Sequence, residues 1–207
     1  MKNKTVSRRT FILTGAMAAA AIGSFPVFAA GGAPSIRLGV IGTGQRGSGI
    51  LQLLRKRSDF SVVACCDILP DRLQEGLALA SGAKGYRDYR ALLDDPAVDA
   101  VVIATPLYLH RDMAIDALDA GKHVYCEKTM AYDIPQSLEL VRKVQAGDQA
   151  FYVGHQYRSY PLYHKIKEVI DNGYCGDIKH FICHYNRNND WRRAVPDPSL
   201  ERIINWR

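Results

Sequence analysis

The sequence predicts an α/β fold: a doubly wound parallel sheet with helices on both faces, followed by the start of an incomplete α+β unit. Three observations predict it. Short apolar runs suited to buried strands recur along the 207 residues, each followed by a stretch with helical periodicity. A glycine cluster, Gly42-Thr43-Gly44-Gln45-Arg46-Gly47, stands between the first run and the first helix. Asp67 closes the second run.

Taken in order, 36–41 is the first strand, and Ile50, Leu51, Leu53 and Leu54 give the helix after the glycines its apolar face. Residues 60–66 form the second strand. A helix over 70–80 starts on a proline, which suits a first helical turn, and a brief strand then leads to a short helix over 89–93. Residues 100–104 are another buried strand, running into Thr105-Pro106. A helix over 110–120 is stopped by Gly121. The fifth strand, 123–126, carries Glu127 and Lys128 at its carboxyl end. A helix over 135–146 and a sixth strand over 151–154 complete the pattern, with His155 leaving the last strand. Ligands of such sheets bind beyond the carboxyl ends of the strands. Asp67, Thr105, Glu127, Lys128 and His155 all fall there.

The glycine spacing has a chemical reason. Gly42 permits a tight turn, Gly44 lets the backbone approach a pyrophosphate, and Gly47 allows the helix to pack closely on the strand. The pyrophosphate then meets free N–H groups at the positive end of the helix. An aspartate at the end of the second strand hydrogen-bonds an adenosine ribose diol and repels a 2′-phosphate, so NAD is favoured over NADP; Arg72 softens that preference. These residues point to a nucleotide-binding Rossmann domain over 35–155.

Composition excludes other classes. With 47% apolar and 23% charged residues the chain is neither disordered nor fibrous. Of the formal net charge of +6, four charges (Lys2, Lys4, Arg8 and Arg9) lie in residues 1–29, leaving only +2 for the rest. That is no footprint for a nucleic-acid partner. The five cysteines (Cys65, Cys66, Cys126, Cys175 and Cys183) show no C-x-x-C spacing and read as reduced, mostly buried thiols.

The first 29 residues are an address. Ser7-Arg8-Arg9-Thr10-Phe11-Ile12-Leu13 matches a twin-arginine export signal, a modest apolar stretch follows, and Val27-Phe28-Ala29 suits a signal peptidase. The apolar run is shorter than the ~20 residues that span a bilayer; an uncleaved signal anchor is the alternative. The expected partner is the twin-arginine translocase and the expected location the periplasm or the exterior. No soluble NAD pool exists there, so a tightly held cofactor, recycled in place, is expected.

Gly42-x-Gly44-x-x-Gly47, Asp67, Ala104-Thr105-Pro106 with His110, Gly121-Lys122-His123-Val124, Glu127-Lys128 and Gly154-His155-Gln156-Tyr157-Arg158 together resemble the glucose–fructose oxidoreductase, inositol dehydrogenase and MocA family, over residues 35–207. The resemblance implies hydride transfer between a nicotinamide cofactor and a sugar, sugar derivative or cyclic polyol. It implies that Lys128, the lysine of the family's E-K-P signature, approaches the substrate hydroxyl. Thr129 stands where that signature has proline. It further implies that Thr105, Pro106, Leu107 and His110 line the nicotinamide side and that Glu127 helps to hold its ribose. A homo-oligomer is expected of the full-length protein.

Tyr157 and Arg158 are candidates for substrate contact, with packing an equal alternative for Tyr157. The stretch around Trp191, Arg192 and Arg193 suits a carbohydrate or equally a surface loop. His180, Cys183 and His184 do not share one strand face, so no metal site is expected. Residues 156–207 read as the beginning of a substrate and oligomerisation domain: a helix over 160–171, a strand over 178–185, and an apolar run at 203–207 that suggests a C-terminally truncated chain. Two other readings stay open: an NAD-dependent glycoside hydrolase working through transient oxidation, and a non-catalytic nucleotide-binding fragment.

Overall fold

The chain builds β1 (Ile36–Ile41), α1 (Gln45–Leu54), β2 (Phe60–Cys66), α2 (Pro70–Leu79), β3 (Lys84–Tyr86), α3 (Tyr89–Leu93), β4 (Ala100–Ile103), α4 (His110–Asp119), β5 (His123–Glu127), α5 (Ile134–Gln145), β6 (Phe151–Gly154), α6 (Pro161–Asp171) and a short α7 (Glu201–Ile204). The computed structural model describes residues 35–186, 188 and 192–206; the leader and Trp191 lie outside the described residues.

All six strands join one parallel sheet in the order β3-β2-β1-β4-β5-β6. Side chains alternate across it and divide the apolar residues into two layers. Val40 stands between Cys65 and Val102, and these three pack with Ile50 and Leu51 of α1 and Leu73 of α2. The next residue, Ile41, stands between Cys66 and Ile103 and faces the other way. That layer is closed by Leu92 of α3, Met113 and Leu118 of α4, and Leu140 of α5. Every residue of β4 is buried, as a strand covered on both faces requires. Removing one such side chain, Ile103→Ala, costs about 2–5 kcal/mol.

Local chemistry sets the helix ends. The Asp133 carboxylate accepts from the Gln136 N–H at 2.8 Å and starts α5 at Ile134, one residue ahead of the predicted start. The Asp88 side chain caps α3 in the same way. Gly121, with φ +75°, ends α4.

One predicted element is corrected. Residues 178–185, expected as a strand, pair with no other strand among the described residues, and Phe181, Ile182 and Tyr185 are exposed. A strand exists only as a pairing, and apolar alternation without a neighbouring edge supplies none.

The connections place the site. β2 and β3 lie on one side of β1 while β4, β5 and β6 lie on the other. The strand order therefore reverses beside β1, and a crevice opens beyond the carboxyl ends of β1 and β4.

Candidate functional site

The loop leaving β1 is shaped by its glycines. Gly42 has φ +89°, and a Cβ there would stand 2.8 Å from the Ala104 carbonyl oxygen. A Cβ on Gly47 would collide with the Gly42 carbonyl oxygen, so α1 can start this close to β1 only without one. Gly44 is the N-cap of α1 and no side chain caps that end. The first N–H groups of a ten-residue helix are left to face the crevice, which fits a pyrophosphate.

Thr43 is fully buried. Its N–H donates to Asp67 Oδ2 at 2.9 Å and its hydroxyl to the Arg72 carbonyl at 2.7 Å, so it clamps the glycine loop onto β2 and α2. Asp67 is 8% exposed, and its other oxygen accepts the Leu69 N–H at 2.9 Å. The predicted ribose ligand thus stands beside the loop, held by two backbone donors. The Arg72 guanidinium lies over Gly44, with Nη1 3.4 Å from the place of a Cβ.

On the other side of the crevice, Thr105 follows β4, with Cγ2 3.1 Å from the place of a Gly42 Cβ. Pro106 precedes a 3-10 turn, Leu107–Leu109, that runs into α4. His110, which the resemblance assigned to the nicotinamide side, is a buried residue. It is 1% exposed, with Nδ1 2.7 Å from the Thr129 carbonyl oxygen and Nε2 3.0 Å from that of Thr105. α4 turns the ring inward between these two carbonyls, and a neutral imidazole, with its single N–H, donates to one of them.

β5 delivers Glu127, which is 5% exposed. Arg46 Nη2 lies 2.6 Å from its Oε1, and the Tyr125 hydroxyl donates to the same oxygen at 3.3 Å. The hydrogen bond that Arg46 donates to Glu127 raises its guanidinium above the ordinary pKa, and burial raises the Tyr125 phenol. Lys128 follows directly and is exposed; the peptide joining it to Thr129 is cis. His155, at the exit of β6, is also exposed and donates its N–H to the Val153 carbonyl at 2.7 Å.

The expected substrate residues are dispersed. Tyr157 meets Tyr163 in a tilted pair, with ring centroids 5.8 Å apart, and Arg158 is exposed on the same turn. Arg192 is paired to Glu201 at 2.8 Å. Arg193, from the same stretch, takes an unexpected partner, and two residues outside the sequence-based set, Tyr108 and Tyr125, come into view. Arg193 donates to the Gln45 side chain and so ties the end of the chain to the glycine loop. Tyr108 borders an open hollow of about 550 Å³ shared with Arg202, Asn205 and Trp206. Tyr125 supports Glu127. Tyr108 had a visible signal, since it lies between two residues assigned to the site; Tyr125 had none beyond tertiary contact, and neither did the pairing of Arg193 with Gln45.

Comparison with known proteins agrees with this geometry. A family model for the Gfo/Idh/MocA oxidoreductases, described as having an NAD-binding Rossmann fold, matches residues 36–155. Inositol 2-dehydrogenase of Salmonella paratyphi B is 32% identical over 174 residues, covering 82% of this chain and 52% of that protein. The solved myo-inositol dehydrogenase of Lactobacillus casei, in complex with NAD(H) and myo-inositol, superposes with a TM-score of 0.64 at 29% identity, over 68% of this chain and 42% of its own. A 3-ketoreductase from Actinomadura kijaniata, in complex with NADP and TDP-benzene, gives 0.63 at 28% identity, over 68% of this chain and 43% of its own. The chain spans about half the length of the curated relatives it matches. With the family model running from the start of β1 to the residue after β6, this chain belongs to the Gfo/Idh/MocA family of oxidoreductases.

Proposed function

We propose that the protein transfers hydride between a nicotinamide cofactor, NAD in preference to NADP, and a hydroxyl-bearing carbon of a polyol, sugar or sugar derivative. The placement of Lys128 carries the reading. It is exposed at the carboxyl end of β5, directly after a buried Glu127 that Arg46 ties to the glycine loop. An amine is thereby presented on the same edge of the sheet as the nucleotide cradle.

When bound, the cofactor supplies a nicotinamide carbon that accepts or returns hydride. The protein does the rest. The Gly42–Gly47 backbone and the start of α1 hold the pyrophosphate, with Asp67 at the adenosine ribose and Arg72 above Gly44. Thr105, Pro106 and Leu107 line the nicotinamide side, and Glu127 stands near its ribose. Lys128 takes the hydroxyl proton as the neutral amine, or stabilises the developing alkoxide as the ammonium. Tyr108 and Trp206 offer aromatic faces, and Arg202 a cation, to a polyhydroxylated substrate. The inositol dehydrogenases among the relatives support a cyclic polyol as the first substrate to try.

The leader over 1–29 supports export by the twin-arginine route with the cofactor already held. We assign 35–155 to nucleotide binding and 156–207 to the opening of a substrate and oligomerisation domain. The test is direct. Purified protein is dialysed, its nucleotide identified by mass spectrometry, and NADH fluorescence followed with polyols and sugars. Net NADH formation, lost in Lys128→Met while nucleotide binding persists, is the expected outcome. Release of an aglycone from a glycoside without net NADH would assign a redox glycosidase instead, and failure to bind either nucleotide would overturn the reading.

A further inference from the structure

His110 is conspicuous because its ring touches two loops at once. Nδ1 meets the carbonyl oxygen of Thr129, the residue after Lys128, at 2.7 Å. Nε2 meets the carbonyl oxygen of Thr105, the first threonine after β4, at 3.0 Å. The ring is 1% exposed and sits on the first residue of α4, a helix whose Met113, Ala114, Ala117 and Leu118 are buried in the core. Its backbone is therefore anchored independently of either loop. Thr105 is itself held: its hydroxyl donates to Met113 Sδ at 3.5 Å and its methyl rests near Gly42.

We infer that His110 is the positioning residue for Lys128, acting as a strut that fixes the β5 loop against the β4 loop and the glycine loop behind it. Lys128 is exposed, and Thr129 beside it is exposed as well, so packing of their side chains does not hold the lysine. The fixed point next to it is the Thr129 carbonyl, and His110 is what grips that carbonyl. A reacting amine displaced by about 1 Å loses on the order of a hundredfold in rate, so a buried contact one residue away carries weight. A neutral imidazole carries one N–H, so in the tautomer this strut requires Nδ1–H donates to the Thr129 carbonyl, and Nε2 lies against the Thr105 carbonyl as a packing contact.

This inference rests on the reading of Lys128 given above, and the experiment distinguishes their failures. The intact chain is acetylated with acetic anhydride, with and without saturating NAD, and modification of Lys128 is followed by mass spectrometry. Wild type is compared with His110→Asn, whose amide N–H replaces Nδ1 and keeps the Thr129 contact, and with His110→Gln, whose amide replaces Nε2 and keeps only the Thr105 contact. NAD affinity and thermal stability are measured on all three. In wild type and His110→Asn, NAD is expected to slow Lys128 acetylation about fivefold or more; in His110→Gln that protection falls below about twofold while NAD affinity moves by less than about threefold. Because the two substitutions remove one ring contact each, a general loss of stability affects both and does not reproduce this difference. Equal protection in both variants, or equal loss in both, overturns the positioning role. Absence of protection in the wild type overturns the placement of Lys128 beside the nicotinamide, and the inference with it.

Discussion

Arg46 Nη2 lies 2.6 Å from Glu127 Oε1, joining the glycine loop to the end of β5 across the carboxyl edge of the sheet. The pair is asymmetric. The Glu127 side chain is 6% exposed and the Arg46 side chain 46%. Arg46 keeps part of its hydration whether or not the acid is there. Among the described residues, this guanidinium and the Tyr125 hydroxyl are what replace the water Glu127 has lost.

That asymmetry predicts unequal effects of breaking the pair from its two ends. Arg46→Met leaves a nearly buried carboxylate short of a partner and should destabilise the protein by about 1–2 kcal/mol, discounted from the cost of a fully buried pair because Arg46 is half solvated. Glu127→Gln removes the buried charge and leaves a guanidinium free to hydrate, at a cost of about 1 kcal/mol or less. Urea denaturation of both variants gives the order. If Glu127→Gln were the more damaging, the carboxylate would be contributing through something other than this pair.

The cysteines give a pH-dependent prediction. Burial pushes the Cys65 thiol up to about 11, and burial, aided by the neighbouring Asp67 and Glu127 carboxylates respectively, pushes Cys66 and Cys126 up to about 12, from an ordinary 9.0. These thiols stay protonated in the folded chain and ionise once it unfolds. Their stabilising contribution is whole below pH 9 and is lost as pH climbs from there toward 11–12, at about 1.4 kcal/mol for each unit by which a thiol is shifted. Chemical denaturation at pH 8 and pH 10.5 should show that fall, and replacing Cys66 with Ala should reduce it by about a third. At pH 8 a disulfide exchange reagent should titrate Cys175 and Cys183 at once and the other three only in denaturant.

Much of this was legible in the sequence, for local reasons. The glycine loop, the strand ends and the helix stops depend on residues a few positions apart, so Gly42, Gly47, Asp67 and Gly121 announced themselves. The inward turn of His110 was not legible, since it depends on where α4 rests and on a carbonyl nineteen residues away. Nor was the choice of Arg46 between solvent, ligand and Glu127. The 178–185 stretch shows the opposite error: its alternation suits a strand, but no edge among the described residues lies beside it.

Asp67 should decide the nucleotide. Its carboxylate accepts the Thr43 and Leu69 N–H groups at the end of β2, where the proposed reading brings the adenosine ribose. Asp67→Asn retains an oxygen for one of those donors and removes the charge. NADP affinity should rise about tenfold while NAD affinity falls, narrowing the gap from both sides. Titration of each nucleotide by tryptophan fluorescence reads this directly. Unchanged NADP affinity would transfer the preference to Arg72, whose guanidinium lies above Gly44.

Two glycines of α1 separate a requirement from an accident. A Cβ at Gly47 would meet the Gly42 carbonyl oxygen, and the only escape is to move α1 off the sheet or reshape the loop. Gly47→Ala should therefore weaken NAD binding by about a hundredfold and cost several kcal/mol of stability, because the cradle and the α1–sheet packing fail together. Gly49, two residues on, has nothing within 4 Å of a Cβ and lies within the helix. Gly49→Ala should raise stability by about 0.5–1 kcal/mol through the lower entropy of the unfolded chain, and leave nucleotide affinity where it is. Thermal unfolding with and without NAD separates the cases: Gly49→Ala shifts both curves upward together, and Gly47→Ala lowers the first and removes the gap between them. Should Gly47→Ala keep that gap, the loop would be binding nucleotide in a form that does not need α1 against β1.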